Sequence, residues 1–232
     1  MKIAVMQPYF LPYIGYFQLI NSVDKFISFD DVKYKKQGWT NRNNILCKGT
    51  SKRFTLPVKN ASQNILISKT ETAIDDEWRE KFLKTLKQCY VNAPYYSTVY
   101  NLMELIVFFR NNNLSAFIRN SLQKVTNYLS INTEIVGSSN VYDNQDFKGQ
   151  ERIIDICKQE KADEYVNLPG GKDLYDKKRF MQEGIKLSFL QTDDIQYKQF
   201  NDTFVPSLSI IDVIMFNDME TSKKFLKCYT LE

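Results

Sequence analysis

The chain has 232 residues, of which 43% are hydrophobic, a formal net charge of +4 and no histidine. This length and composition allow a sizeable core in one domain, or in a domain with a large insertion. Without histidine, imidazole catalysis and mixed Cys/His zinc sites are excluded. The mild positive charge suits an anionic small molecule, and we expect no nucleic-acid partner because the chain lacks a dense basic patch.

The cysteines and the apolar runs predict where the protein is found. Cys47, Cys89, Cys157 and Cys228 are widely separated and form no CxxC pair, which predicts reduced thiols. The apolar run at the start ends at residue 7, too early for a signal peptide. The longest later run, 102–109, is too short to span a bilayer. We therefore expect a cytoplasmic protein with no transmembrane segment.

The first predicted elements are a strand, a stiff turn and a helix. Residues 3–6 are apolar, Pro8, Pro12 and Gly15 follow, and apolar residues then recur at helical spacing from Tyr16. In open α/β sheets, ligands bind beyond the carboxyl ends of the strands. This turn is therefore the first candidate for a site.

The middle of the chain changes from β-like to helical patterns. Residues 25–30 predict a second strand that ends in two aspartates, and residues 31–67 predict short strands of a small β-hairpin region. From residue 74 the apolar period becomes helical. Three consecutive helices are predicted, and they form a helical insertion at 74–131.

The rest of the chain alternates again between strands and helices. Strands are predicted at 134–136, 164–167 and 185–190, and helices at 150–160, 174–183, 209–216 and 221–228. Such alternation at both ends predicts a single α/β domain over residues 1–232, with a mostly parallel sheet and flanking helices.

The turn after the first strand resembles a motif of the nucleotidyltransferase superfamily, Phe-x-Pro-x-His-x-Gly-His. Phe10 and Pro12 match its first half and Gly15-Tyr16 resembles its end, although the spacing is one residue shorter and both histidines are missing. The resemblance implies a nucleotidyltransferase-like (HUP-type) sheet with a helix N-terminus directed at phosphate. Adenylyl transfer by the histidine-dependent route is not expected.

A second resemblance covers nearly the whole chain. The segments that carry it are 6–20, Phe-Asp-Asp-Val at 29–32, Gly-Trp-Thr-Asn-Arg-Asn at 38–43, Leu-Pro-Val at 56–58, Asn-Leu-Pro-Gly-Gly at 167–171 and 208–213. Together they resemble the WbqC-like family of bacterial proteins. The resemblance implies a cytosolic protein of O-antigen, lipopolysaccharide or related surface-polysaccharide biosynthesis. It further implies that an amino sugar on a nucleotide carrier is modified by amino-acid or acyl addition.

Two aspartates are the candidate catalytic residues. Asp30 and Asp31 follow the second predicted strand, where a carboxylate suits a general base or a magnesium ligand. Capping of a turn or helix is the alternative. Cys89 is a weak candidate for an acyl-carrying nucleophile because no histidine is present to lower its pKa.

The candidate substrate-binding residues offer amides, aromatic rings, backbone N–H groups and one guanidinium. Amides bind hydroxyls, tyrosines stack on rings, glycines let the backbone approach a ligand, and arginine clamps an anion. They are Gln7, Tyr9, Gly15, Tyr16, Arg42, Asn167, Gly170, Gly171, Ser207 and Ser209. For each of them a structural role stays open: a local backbone bond, core packing, a surface ion pair, a tight turn or helix capping.

Together with what the WbqC-like resemblance implies, these residues favour a transferase acting on a nucleotide-linked amino sugar. One alternative is a non-catalytic protein that kept a nucleotide or nucleotide-sugar pocket after losing its catalytic histidines. The other is an adenylating enzyme that uses lysines in place of histidine. The sequence does not identify a cofactor, a metal, the sugar, the acyl donor or the oligomeric state.

Overall fold

The computed structural model describes all 232 residues, and its centre is a six-stranded sheet. The strands of this sheet are β1 (Lys2–Met6), β2 (Lys25–Ser28), β5 (Glu134–Val136), β6 (Glu164–Asn167), β7 (Lys186–Thr192) and β8 (Tyr229–Leu231). A separate antiparallel hairpin is formed by β3 (Arg42–Cys47) and β4 (Thr50–Thr55).

The strand order in the central sheet is β5-β2-β1-β6-β7-β8. The first five strands are parallel, and β8 pairs antiparallel with β7 at the edge. The mostly parallel sheet and the separate hairpin are thus confirmed, whereas β8 was not predicted. From β1, the strands β2 and β5 follow towards one edge of the sheet, and from β6, the strands β7 and β8 follow towards the other edge. The order therefore reverses between β1 and β6, which is where open α/β sheets form a ligand crevice.

The inner strands β1, β2 and β6 are largely buried on both faces of the sheet, as expected for a parallel sheet covered by helices. Ala4 and Phe26 face a large cluster, while Val5 and Ile27 face a smaller one on the other side. Helices α1 (Ile14–Asn21) and α7 (Ile210–Phe216) contribute to the large cluster. Helices α5 (Gly149–Gln159) and α6 (Lys177–Gln182) cover the opposite face.

Three helices lie between β4 and β5 in the chain, as the periodicity predicted. They are α2 (Asp76–Tyr90), α3 (Tyr96–Val107) and α4 (Leu114–Tyr128), and α8 (Met219–Phe225) follows α7 near the end. The side chain of Asp75 caps α2 by accepting from the Trp78 N–H, and Asn113 caps α4 in the same way through Ala116. None of the eight helices has the length and apolar character needed to cross a membrane.

The cysteines correct one prediction. Cys47 and Cys89 form a disulfide with a Cα–Cα distance of 4.7 Å, and only Cys157 and Cys228 are free thiols. The expectation of four reduced thiols was wrong because it used spacing along the chain alone. The two bonded residues are 42 positions apart, and the packing of the end of β3 on the end of α2 brings them together.

Candidate functional site

A cavity of about 420 Å³ lies beyond the carboxyl ends of β1 and β6. Tyr9, which follows β1, and Leu168, which follows β6, both line it. The cavity therefore lies at the point where the strand order reverses. Its lining residues are Tyr9, Pro12, Tyr13, Tyr16, Trp39, Asn43, Asn44, Leu168 and Ser207. This position is the one that the fold itself favours for a ligand.

The lining combines four aromatic rings with two side-chain amides and includes no Asp, Glu, Lys or Arg. The rings of Tyr9 and Tyr16 form one wall, with centroids 5.5 Å apart and planes at 38°. Trp39 is half exposed, which is unusual for so large an apolar side chain. The cavity therefore suits an uncharged ring that presents hydroxyl or carbonyl groups.

The turn between β1 and α1 is held in place by residues distant in sequence. Leu11 adopts a positive φ of 46°, and its carbonyl accepts hydrogen bonds from Asn43 Nδ2 at 2.9 Å and Ser209 Oγ at 2.7 Å. The Pro12 carbonyl accepts from the Ile210 N–H at 2.8 Å. The hairpin and α7 therefore fix the turn before any ligand arrives, which reduces the ordering cost of binding.

The tyrosines of the cavity remain protonated near neutral pH. Burial raises the pKa of Tyr9 and Tyr13, and it raises the pKa of Tyr16 well above its usual range. The Tyr16 hydroxyl donates to the Gln7 carbonyl at 2.8 Å. The Tyr9 and Tyr13 hydroxyls can therefore donate hydrogen bonds to a ligand, whereas the Tyr16 hydroxyl is already used. None of the three serves as a base at neutral pH.

Gly15 acts through Tyr13. A Cβ atom at Gly15 would lie 2.2 Å from Tyr13 Oη, because the Tyr13 ring folds over the first turn of α1. The ring fills the space through which we expected a ligand to approach the Gly15 backbone. Gly15 thus allows the Tyr13 ring to line the cavity.

Tyr13 also separates this cavity from a second one of about 270 Å³. Tyr13 and Ser207 line both cavities. Asp193 and Asp194 are the charged residues that line the second cavity. A change in the Tyr13 ring therefore alters both spaces.

Of the substrate-binding residues predicted from the sequence, Tyr9, Tyr16 and Ser207 line the cavity. Ser207 is exposed and has a positive φ of 58°. Ser209 is buried instead, and it caps α7 while its hydroxyl holds the Leu11 carbonyl.

The predicted residues near the ends of β1 and β6 lie next to the cavity without lining it. Gln7 follows β1 and offers its carbonyl to Tyr16. The Asn167 side chain is buried and accepts from the Leu168 N–H at 2.8 Å. Gly170 and Gly171 lie in a short 3₁₀ turn, where Gly170 faces open space and Gly171 packs on Asn167. Their binding roles stay predictions.

Arg42 lies at a different cavity. Its Nε donates to the Gly38 carbonyl at 2.9 Å, and it lines a shallow cavity of about 390 Å³ with Tyr34 and Lys36 among others. The structure therefore does not bring Arg42 together with the aromatic rings. Its predicted role in holding an anion stays a prediction.

Asp30 is buried, and its carboxylate accepts hydrogen bonds from two serine hydroxyls. Ser138 Oγ donates to it at 2.6 Å, and Ser115 of α4 also donates. No cation contacts this carboxylate, and it does not line the cavity. No group of three or more potential metal-ligating side chains is arranged to hold an ion. The catalytic role predicted for Asp30 is not tested by this arrangement.

Asp31 forms a buried ion pair with Arg152 of α5. The Ser139 hydroxyl also donates to Asp31, and Gln145 Nε2 donates at 3.2 Å. The Arg152 guanidinium lies 4.8 Å from the centroid of the Phe29 ring. These contacts tie α5 to the end of β2, and the catalytic role of Asp31 also stays a prediction.

A second buried carboxylate network anchors the hairpin to α7. Asp212 accepts hydrogen bonds from Tyr90 at 2.8 Å, Tyr197 at 2.7 Å and Gln199 at 2.7 Å. Burial raises the pKa of Asp212 despite these three donors. Tyr90 Oη in turn accepts from the Leu46 N–H of β3 at 2.8 Å. Through this network, α7 fixes the hairpin whose residues line the cavity.

Sequence analysis weighed Tyr13 between stacking on a ligand and packing of the turn on the helix, and it missed Pro12, Trp39, Asn43, Asn44 and Leu168 as lining residues. Trp39 and Asn43 belong to the segment Gly-Trp-Thr-Asn-Arg-Asn at 38–43, from which we selected Arg42. A large aromatic side chain in a polar segment near a predicted site is the signal that could have identified Trp39.

The fold and the cavity define an α/β protein with an aromatic, uncharged cavity at the reversal point of its sheet. A family model described as the WbqC-like protein family matches residues 7–224, and the chain belongs to this family. It is also similar to the uncharacterized protein Rv1507c of Mycobacterium tuberculosis (strain ATCC 25618 / H37Rv), with 32% identity over 222 residues and 93% of each chain covered. No solved structure matches the chain. The nucleotidyltransferase-like fold therefore stays a prediction.

Proposed function

We propose that the cavity binds a nucleotide-linked amino sugar and that the protein adds an amino-acid or acyl group to the sugar amine. The reaction belongs to the biosynthesis of O-antigen or a related surface polysaccharide. The observation that carries the proposal is the cavity at the reversal point of the sheet, with four aromatic rings, two amides and no charged lining residue. Membership of the WbqC-like family supports the polysaccharide context.

The lining suits a sugar or a nucleobase. Both have a flat or apolar face that packs on aromatic rings, and both carry polar edges that pair with amides. Asn44 and Ser207 are polar groups at the cavity wall, and the hydroxyls of Tyr9 and Tyr13 add donors. A volume of about 420 Å³ falls within the usual range for small-molecule sites.

The proposed transfer is a nucleophilic acyl substitution. The sugar amine nitrogen attacks the carbonyl carbon of an activated acyl donor, and a C–N bond forms. The bond to the leaving group breaks, the leaving group takes the electron pair, and the proton of the amine passes to a base. Holding both reactants in one place supplies much of the acceleration. Asp30 and Asp31 are the bases that the sequence suggests; neither lines the cavity, and serine and arginine contacts hold both.

A non-catalytic binding protein is the second candidate. It is favoured by the cavity lining, whose side chains include no ionisable group except tyrosines that stay protonated. Both candidates require the same ligand at the same place. They differ only in whether the bound sugar is converted.

Binding is tested first. Thermal shifts are measured with UDP-glucosamine, UDP-N-acetylglucosamine and ATP with magnesium. A ligand at 100 times its dissociation constant stabilises by about 2.7 kcal/mol. We expect a shift with a nucleotide sugar that the Trp39→Ala variant loses. No shift with any nucleotide sugar, or a shift that Trp39→Ala leaves unchanged, contradicts the proposed site.

Turnover is tested second. The protein is incubated with UDP-glucosamine and acyl donors such as acetyl-coenzyme A and aminoacyl adenylates, and the sugar is examined by mass spectrometry. A mass increase that matches the acyl group supports the transferase. Binding without a mass change favours the non-catalytic protein. Pyrophosphate release from ATP in the presence of a carboxylate favours an adenylating enzyme instead.

A further inference from the structure

We propose that Arg53, at the rim of the aromatic cavity, holds the diphosphate of the ligand. This inference rests on the proposed function and assigns the anion-binding part of that site. The juxtaposition that carries it is an exposed, unpaired guanidinium in contact with two cavity-lining residues, Trp39 and Asn44, next to a cavity that contains no charge of its own.

The hairpin places Arg53 beside the cavity. Arg53 on β4 is paired directly with Asn44 on β3, and the side chains of such a pair lie on the same face of the hairpin. Arg53 Nε lies 3.4 Å from Asn44 Oδ1. Since Asn44 lines the cavity, the Arg53 side chain reaches its rim.

Trp39 fixes the orientation of the guanidinium. The guanidinium carbon of Arg53 lies 6.0 Å from the centroid of the Trp39 ring, within the range of a cation–π contact. Trp39 also lines the cavity. Because the two side chains are in contact, a single ligand can place a ring on Trp39 and an anion on Arg53.

The charge of Arg53 is free to bind an anion. Arg53 takes part in none of the ion pairs of the structure, whereas Arg79, Arg110, Arg152 and Arg179 all pair with carboxylates. Four N–H groups remain after the contact with Asn44. A guanidinium with free parallel N–H groups matches the bidentate geometry of phosphate.

The ligand class follows from these two neighbouring environments. An uncharged ring fits the aromatic part, and one or two phosphates fit the rim. A nucleoside diphosphate sugar joins both features in one molecule. Inorganic pyrophosphate offers the anion alone, while uridine and N-acetylglucosamine offer the ring alone.

Isothermal titration with UDP-glucosamine and UDP-N-acetylglucosamine, compared with pyrophosphate, uridine and N-acetylglucosamine, tests the inference. For R53Q we expect the dissociation constant of the nucleotide sugar to rise about tenfold or more, because hydrogen bonds to charged groups are among the stronger ones. R53K is expected to recover part of the affinity, because lysine keeps the positive charge but lacks the planar guanidinium that binds phosphate through two N–H groups. Binding of the uncharged compounds should not change with either variant.

Arg119→Gln is the matched control. Arg119 is also exposed and also takes part in no ion pair, but it lies on α4 and does not line the cavity. We expect R119Q to bind the nucleotide sugar as the unaltered protein does. If the unaltered protein binds and R53Q binds equally well, the inference about Arg53 is wrong while the proposed function stands. A loss with R42Q and none with R53Q returns the anion site to Arg42, the arginine predicted from the sequence. If the unaltered protein binds no nucleotide sugar, the proposed function fails and the inference fails with it.

Discussion

The hydroxyl of Ser209 donates a 2.7 Å hydrogen bond to the carbonyl of Leu11, although 198 residues separate the two. Leu11 has a positive φ of 46°, a conformation that costs free energy for a leucine. The same carbonyl accepts from Asn43. One strained residue is thus held from two sides, by α7 and by the hairpin, and the turn that forms the cavity depends on both.

Ser209→Ala should destabilise the protein by about 1–2 kcal/mol, because it removes both the bond to Leu11 and the cap of α7. Urea unfolding measures this change. Ser207→Ala is the control, since the Ser207 hydroxyl is exposed and its removal should cost less than about 0.5 kcal/mol. Equal stabilities of the two variants would show that the Leu11 carbonyl does not need Ser209.

Trp39→Ala should weaken nucleotide-sugar binding about tenfold while leaving the free energy of unfolding almost unchanged. The ring is 50% exposed, so it adds little to the core, yet it lines the cavity. Titration and urea unfolding separate the two effects. Leu105→Ala is the control, because Leu105 is 61% exposed on α3 and lines no part of the cavity. A loss of stability with unchanged affinity would contradict the role given to Trp39.

Gly15→Ala should impair ligand binding by displacing the Tyr13 ring, since the added Cβ would lie 2.2 Å from Tyr13 Oη. The double variant with Tyr13→Ala tests this cause. If the clash with the ring is the reason, Gly15→Ala should have little further effect on affinity once Tyr13 is truncated. Additive losses in the double-mutant cycle would place the effect of Gly15 in the backbone of α1, as we first expected from the sequence.

Asp31→Asn should destabilise the protein by about 3–5 kcal/mol, because it leaves the buried guanidinium of Arg152 without its counter-charge. Asp30→Asn should cost less, since Asp30 faces two serines and no cation. Urea unfolding measures both. If either variant folds normally and binds the sugar but loses turnover, that aspartate is the base of the transfer. Full turnover in both would exclude the catalytic role.

Asp212 should make the protein less stable as the pH rises. Its pKa in the folded state is raised above the ordinary value of 3.8 by burial. Below that value, the folded and unfolded states are both protonated and no penalty applies. As the pH rises past 3.8 the unfolded state ionises first, and the unfolding free energy falls until the folded group also ionises.

The comparison of Asp212→Asn with the unaltered protein isolates this effect. The variant loses hydrogen bonds at every pH, but it has no carboxylate to titrate. Its stability relative to the unaltered protein should therefore improve from pH 4 towards neutral. Urea unfolding at several pH values measures the difference. A difference that stays constant across this range would show that the pKa of Asp212 is the same in both states.

Much of the fold was predictable because its elements depend on local patterns. The strands β1, β2, β5, β6 and β7 are apolar runs bounded by turn residues, and α2 and α4 begin at an aspartate and an asparagine that cap them. The short edge strand β8 has little pattern of its own and forms because β7 offers it a partner. The disulfide between Cys47 and Cys89 was not predictable from spacing, because it depends on how β3 packs on α2.

The sequence alone determined the mostly parallel α/β sheet, and it pointed to the turn after β1, where the cavity lies, and to two of the lining residues, Tyr9 and Tyr16. These follow from the order of strands and from the side chains next to a strand end, both of which are properties of short segments. Only the tertiary structure decided that Trp39 and Asn44 of the hairpin region complete the cavity and that Arg53, not Arg42, contacts these two residues. It also decided that Asp30 and Asp31 are enclosed by serines and an arginine. The physical reason is that these contacts join segments far apart in the chain, and packing, which no local pattern encodes, sets which of them meet.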